Sequence, residues 1–406
     1  MSGSVNNAEQ FVYDVCQRSF LALWSYVNPQ GRRPGKELCD ILVVCDPHVI
    51  VVSVKDIKLK NSGKGEVDWD RWRRKAIDDS IRQIKGAIRW LNHAERVTKK
   101  DGSPGLLLPP LTRRIYHRIA IAFGGSRKVP ISSSADKGED IFHILDEQSF
   151  YLILRHLDTI SDFVQYLSDK EQLLSHTAVI ISGGEENLLA MYLHNGRQFQ
   201  GTHDFFILED DLWAGLNSNT QFLAKLERDQ DSYLWDTCIN ALARSILDGS
   251  AYFDPGLSNA ELGLREMAME DRFSRRCLSK ALLEFKDLAQ AGKIRSRMVF
   301  SINRKTTYVF MIAKLEDDPS SRLKELTGRC WVALSESRKH DQEYYTAIGL
   351  ALGALEPGHP LELVYLHKDE WTDEDQKTAE KLRDDFGLFR SPQQKMTHED
   401  EYPEET

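Results

Sequence analysis

Two apolar runs, Ile41–Cys45 and Val49–Val52, stand almost back to back, with only Asp46-Pro47-His48 between them. Valine and isoleucine dominate both, and their branched β-carbons fit a pleated strand better than a helix. Asp-Pro opens turns. The stretch therefore predicts an antiparallel hairpin, and the rest of the chain is organised around it. The ends of this apolar hairpin are polar. Asp40 opens the first strand, and Ser53-Val54-Lys55 closes the second. Strand residues two apart share a face, so Ser53 and Lys55 point one way and Val54 the other. If Asp46 pairs with Val49 across a two-residue turn, Asp40 lies opposite Lys55. A register odd by one residue puts them on opposite faces.

Polar strand ends have an ordinary explanation: strands leave a core at their ends, and side chains there are solvated. They also suit a chemical one. A carboxylate holds a hard cation such as Mg²⁺ through oxygen, the cation stabilises charge on a phosphate, and a lysine beside it orients or deprotonates the attacking water. Asp40, about a dozen residues, then x-x-Lys55 on an apolar strand resembles the PD-(D/E)XK restriction-endonuclease-like superfamily, closest in flavour to the Mrr-like and NERD-type nucleases. The resemblance covers roughly the first 130 residues. It implies an α/β fold with a mixed β-sheet flanked by helices. It also implies Mg²⁺- or Mn²⁺-dependent hydrolysis of phosphodiester bonds in DNA, with RNA as the alternative, in a setting of prokaryotic defence against foreign DNA.

The same resemblance implies Asp40 as the metal-binding acid and Lys55 as the catalytic lysine. Ser53 stands where the family carries Glu or Asp. A hydroxyl is a poor ligand beside a carboxylate, so another acid has to complete the site. Glu9 lies in the first turn of an amphipathic helix, where such nucleases often carry an acid facing the metal. An acid is also favoured at any helix N-terminus. Glu37 lies three residues ahead of Asp40. If neither completes the site, the fold becomes a silent module that binds nucleic acid or a protein partner. Gln83 loosely matches a glutamine that several members place on the helix after the lysine, where it reaches the site or a phosphate. A helical glutamine is otherwise simply solvated.

Charge points to a polyanionic partner. From Lys55 to Lys128 there are 19 Lys/Arg against 8 Asp/Glu, in a chain whose total is −9. A basic segment following the candidate site suits a nucleic acid, although lysine-rich helix faces are also often just solvated. Lys58 and Lys60 lie in a Gly/Ser-bearing loop that would track a phosphate backbone. Arg73, Arg74, Arg82 and Lys85 lie on a helix expected over Asp68–Asn92, with Asp68 as its cap and Trp69, Trp72, Ala76, Ile77, Ser80, Ile84, Ala87, Ile88 and Leu91 on its apolar stripe. Arg127 and Lys128 follow a strand expected over Arg114–Phe123 and a Gly-Gly pair able to cradle phosphate through backbone N–H groups. A Glu95–Pro110 loop separates helix from strand.

The remainder is less telling. A length of 406 residues predicts two or three domains. The expected limits are a nuclease-like domain at 1–175, a mainly helical region at 176–295, an α/β region at 296–395 and a disordered acidic tail at 396–406. Helices are expected over Ala8–Val27, Asp146–Leu174, Ser232–Leu247, Tyr345–Leu355 and Asp373–Phe386, and one long helix or two over Ser258–Ala291. A hairpin is expected over Met298–Ala313 and a strand over Leu361–Leu366. The C-terminal half is the expected place for a homo-oligomer or partner-protein contact. Six cysteines without C-x-x-C spacing read as small buried residues of a reducing compartment. No apolar run is long enough for a membrane helix, and no signal pattern opens the chain, so no membrane partner and a cytoplasmic location are expected.

Overall fold

The computed structural model describes residues 7–20, 23–31, 35–125, 130, 132–133, 140–181, 184–199, 205–208, 210–247, 257–313, 318–353, 361–389 and 398–403. The chain divides into two compact units, Met1–Leu223 and Ala224–Thr406. Residues 176–223 therefore group with the N-terminal unit.

The N-terminal unit is a mixed sheet flanked by helices. In chain order its elements are α1 (Asn7–Phe20), β1 (Ser25–Val27), β2 (Ile41–Cys45), β3 (His48–Asp56), α2 (Gly65–Arg73), a π-helical turn (Arg74–Asp78), α3 (Asp79–Leu91), β4 (Arg96–Thr98), β5 (Pro104–Leu107), β6 (Ile115–Phe123), β7 (Ser132–Ser133) and β8 (Phe142–Leu145). They are followed by α4 (Glu147–His156), α5 (Ile160–His176), β9 (Ala178–Ile181), α6 (Glu185–His194), β10 (Phe205–Leu208) and α7 (Leu212–Asn217). Strand order in the main sheet is β1-β2-β3-β6-β8-β7. The β1–β2–β3 ribbon is antiparallel, whereas β3, β6 and β8 run parallel.

The expected hairpin forms, in a register shifted by two residues. Cys45 pairs with His48 and Ile41 with Val52, so the turn is Asp46-Pro47 itself. Val44, not Asp46, pairs with Val49. The ladder's continuation sets Asp40 opposite Ser53 and diagonal to Lys55. A shift of two conserves parity, so all three side chains stay on one face. That face is covered by α3: Ile84, Ala87 and Leu91 pack on Leu42, Val44, Val49, Val51, Ala120 and Phe142. On the opposite face of the sheet lie His48 and His117, whose rings hydrogen-bond at 3.0 Å.

Four local readings are corrected. The helix starts at Gly65, and Asp68 does not cap it; its carboxylate accepts from Ser62 N–H and Oγ, both at 2.7 Å. Glu95–Pro110 contains the β4–β5 hairpin rather than a plain loop. The chain from Asp146 forms two helices, because Thr159 accepts from Asp162 N–H and starts a new helix at Ile160. The N-terminal helix likewise stops at Phe20, and Ser25–Val27 pairs with β2.

The C-terminal unit holds most of α8 (Thr220–Arg228), a 3₁₀ turn (Asp229–Ser232), α9 (Tyr233–Leu247), α10 (Leu257–Ala268), α11 (Arg272–Gln290), β11 (Ser296–Ser301), β12 (Thr306–Ala313), α12 (Pro319–His340), β13 (Thr346–Gly353), β14 (Leu361–His367) and α13 (Asp373–Phe386). The β11–β12 hairpin forms as expected. Within the stretch Tyr345–Leu355, expected helical, Thr346–Gly353 is instead strand β13, parallel to β12 and antiparallel to β14, while 354–355 lie outside the described residues. Its run is apolar on both faces, which hides the two-residue period and makes it read like a buried helix. Gly349 is required there: a Cβ would come within 2.6 Å of Leu326 Cγ and 2.8 Å of Cys330 Sγ on α12. The expected disordered tail is corrected in part, since His398–Pro403 is ordered along α11.

Candidate active site

Four side chains from three elements meet where β2 begins and β3 ends. Asp40 is 3 % exposed and Ser53 fully buried. The Asp40 carboxylate is fixed by the backbone: Val54 N–H donates to Oδ2 at 2.5 Å. Lys55 Nζ lies 3.7 Å from the same oxygen. Gln83, on α3, ties the set together. Its Nε2 donates to Asp40 Oδ1 at 3.3 Å, and its Oε1 accepts from Lys55 Nζ at 2.9 Å and from Ser53 Oγ at 3.0 Å. One carboxamide thus satisfies a buried carboxylate, a buried hydroxyl and an ammonium, each of which would be costly to leave unpaired.

The helix earns this geometry through its π turn. Ala76 and Ile77 are both buried, as are Trp72, Ser80 and Ile84. Two adjacent inward residues fit a locally widened turn, and Ser80 Oγ donates back to Ala76 O at 2.8 Å. π turns of this kind recur at functional sites. The Trp72 indole N–H donates to Ile57 O at 2.6 Å, anchoring the helix start to the end of β3.

Glu37 stands at the rim. Burial of its carboxyl end, then the charges of Asp40 and Glu9, raise its pKa above the usual range, while Lys55 and Lys100 pull it back. Glu9, in the first turn of α1, is therefore within electrostatic reach of Glu37. Among the described residues, no three His, Cys, Asp or Glu side chains are gathered as a metal-ligand cluster. Cys39 is buried beside Asp40, and burial pushes its thiol well up, so it remains a protonated core residue.

The basic residues fall outside this network. Lys58, Lys60, Arg73, Arg74, Arg82 and Lys85 are exposed. Arg82 pairs with Asp79, and Lys85 Nζ sits over the Phe142 ring at 5.5 Å. Arg127 and Lys128 lie outside the described residues. Sequence reasoning missed two contributors. One is the Val54 N–H, because no side-chain pattern signals a backbone donor. The other is Lys100, carried on the β4–β5 turn, whose carbonyl accepts from Gln30 Nε2 at 2.9 Å. Its place in the Glu95–Pro110 loop was visible, but not its approach to Glu37.

No protein-family model, curated protein or solved structure matches this chain. The arrangement itself defines a carboxylate–lysine–amide site at one end of a mixed sheet.

Proposed function

We propose that the N-terminal unit is a metal-dependent nuclease that hydrolyses phosphodiester bonds in DNA. The observation carrying this reading is the 3.7 Å approach of Lys55 to Asp40 on adjacent strands, with Gln83 bridging both. The donor set suits a hard cation: carboxylate oxygen from Asp40, with Glu37 and Glu9 near enough to act on each other through charge. Asp40 with Glu37 or Glu9 would hold Mg²⁺ or Mn²⁺, which supplies charge stabilisation at the phosphate. Mutual repulsion among these acids is what a divalent cation relieves. Lys55 has three donors. With one on Gln83, the others remain to hold the attacking water and a phosphate oxygen. Gln83 keeps Lys55 and Asp40 in register. The exposed cations of the α2–α3 face and the Lys58–Lys60 loop would grip phosphates beyond the reacting one.

The experiment is cleavage of plasmid DNA in Mg²⁺ by purified full chain. Asp40→Asn and one of Glu9→Gln or Glu37→Gln should abolish cleavage in folded protein, and Lys55→Ala should lower it by about 10²–10⁴-fold. Undiminished cleavage by Lys55→Ala would overturn the assignment. A second reading has its own support. Ser53 is fully buried and donates to Gln83, closing the network without a second strand carboxylate. That favours a silent module that binds nucleic acid or protein. It predicts an inert wild type in which Ser53→Glu alone creates cleavage.

A further inference from the structure

In the C-terminal unit, the segment His398–Pro403 has no regular structure, yet it is held by a built set of contacts. Arg276 on α11 is fully buried. Its guanidinium donates to the main-chain carbonyl of Asp400 at 2.6 Å and of Glu401 at 3.4 Å, and to Asp229 Oδ1 at 3.0 Å. Lys280, one turn along the same helix, donates to Glu399 Oε1 at 2.5 Å. Lys225 on α8 is almost buried and lies 3.8 Å from Glu401 Oε1 and 5.7 Å from the centre of the Tyr402 ring. Pro403 is buried at the far end.

These contacts divide the labour of peptide recognition. Arg276 reads two successive main-chain carbonyls, which any peptide offers. Lys280 and Lys225 read carboxylates on alternate residues, and Lys225 also reads an aromatic face. Nucleic acid fits less well: besides the Glu399 carboxylate 3.5 Å from its Nε, Arg276 meets two main-chain carbonyls, and Asp229 stands behind both Arg276 and Lys225. Among the described residues, Asp229 is the one acceptor for the Arg276 guanidinium outside the segment. Release of the segment would remove from Arg276 its two carbonyl partners and the Glu399 carboxylate and leave it Asp229 alone.

We propose that this groove is a recognition site for short acidic peptides ending in aromatic–proline, that the chain's own Glu399-Asp400-Glu401-Tyr402-Pro403 is its resident ligand, and that a partner protein carrying such a segment exchanges with it. The proposal is independent of the nuclease reading, since no residue of the N-terminal site takes part. Eight residues, 390–397, tether the resident segment to Phe389. Because the resident copy is covalently attached, its binding is intramolecular, and it masks the groove until it is outcompeted or released.

The test uses the full chain with its tail charges reversed, Glu399→Lys with Glu401→Lys, and a fluorescent peptide of residues 398–403 in wild-type sequence. Anisotropy should show saturable binding that weakens as salt is raised, at least tenfold tighter to the reversed-tail chain than to wild type. Adding Lys280→Glu should remove it. A milder pair, Glu399→Gln with Glu401→Gln, should give an intermediate gain and serves if the reversal misfolds. Absence of peptide binding to either folded variant, with the tail released to protease, would overturn the proposal and make the segment a permanent staple. So would tight binding of a labelled single-stranded oligonucleotide that the peptide does not displace, which would make the groove a phosphate site.

Discussion

At the scale of single residues, Gln83 is the decisive group. Its Oε1 is the acceptor for both Ser53 and Lys55, and Ser53 is fully buried. Replacing it with Ala leaves a buried hydroxyl without that acceptor. Gln83→Ala should therefore destabilise the protein by about 1–3 kcal/mol in urea unfolding, and lower any cleavage further through the freed lysine. A stability unchanged within about 0.5 kcal/mol would show that the bridge does not hold the site. Glu270 offers a second test. It is buried at the end of α10, and burial pushes its pKa from 4.5 up to about 7, with Ser301 and Tyr308 donating to it. A raised folded-state pKa means the folded chain binds the proton more tightly than the unfolded chain between these values. Its contribution to stability is thus present below pH 4.5 and lost as pH rises to about 7. Glu270→Gln should gain stability relative to wild type across that window, by about 3 kcal/mol at most. A constant difference from pH 5 to 8 would contradict it. Much of the carboxylate–lysine–amide site was legible at this scale. Strand alternation set Ser53 and Lys55 on one face, and parity kept Asp40 with them. The register was two residues off because nothing in Asp46-Pro47-His48 says which pair closes the turn.

At the scale of elements, legibility followed periodicity. The Trp72-to-Leu91 stripe was readable because one side of that helix is wet, and α13 because its capping box at Thr372 and Asp375 and the left-handed Gly387 mark both ends. β13 was misread because it is buried on both faces. Short β4 and β5 carry too few residues for alternation to register. The exposed cations of the α2–α3 helix give this scale its prediction. Arg73, Arg74 and Lys85 project from the helix whose other side touches the sheet. Changing all three to Glu should weaken binding of a DNA duplex and reduce the magnitude of its log–log salt slope by about 2–3, near one per lost phosphate contact. An unaltered slope would move the nucleic-acid interface to another surface.

At the scale of the whole molecule, the chain is two units with different balances. The N-terminal unit carries the basic segment from Lys55 to Lys128 and the carboxylate–lysine–amide site. The C-terminal unit carries three buried arginines on α11, with Arg272 and Arg275 on Asp236 and Arg276 on the tail. The chain length made two or three domains foreseeable, but not the docking of the last residues. Acidic composition reads as disorder, and it took three cations from two helices to order it. Among the described residues no helix is long and apolar enough to cross a membrane. What the N-terminal unit does rests on whether its acids serve chemistry. The most direct measurement is the rate of plasmid nicking against Mg²⁺ concentration, for wild type and Asp40→Asn side by side. The account predicts nicking by wild type that saturates with Mg²⁺, vanishes with chelator, and is lost in a fully folded Asp40→Asn. Equal rates for the two proteins, or no nicking by wild type at any Mg²⁺ concentration, would contradict it.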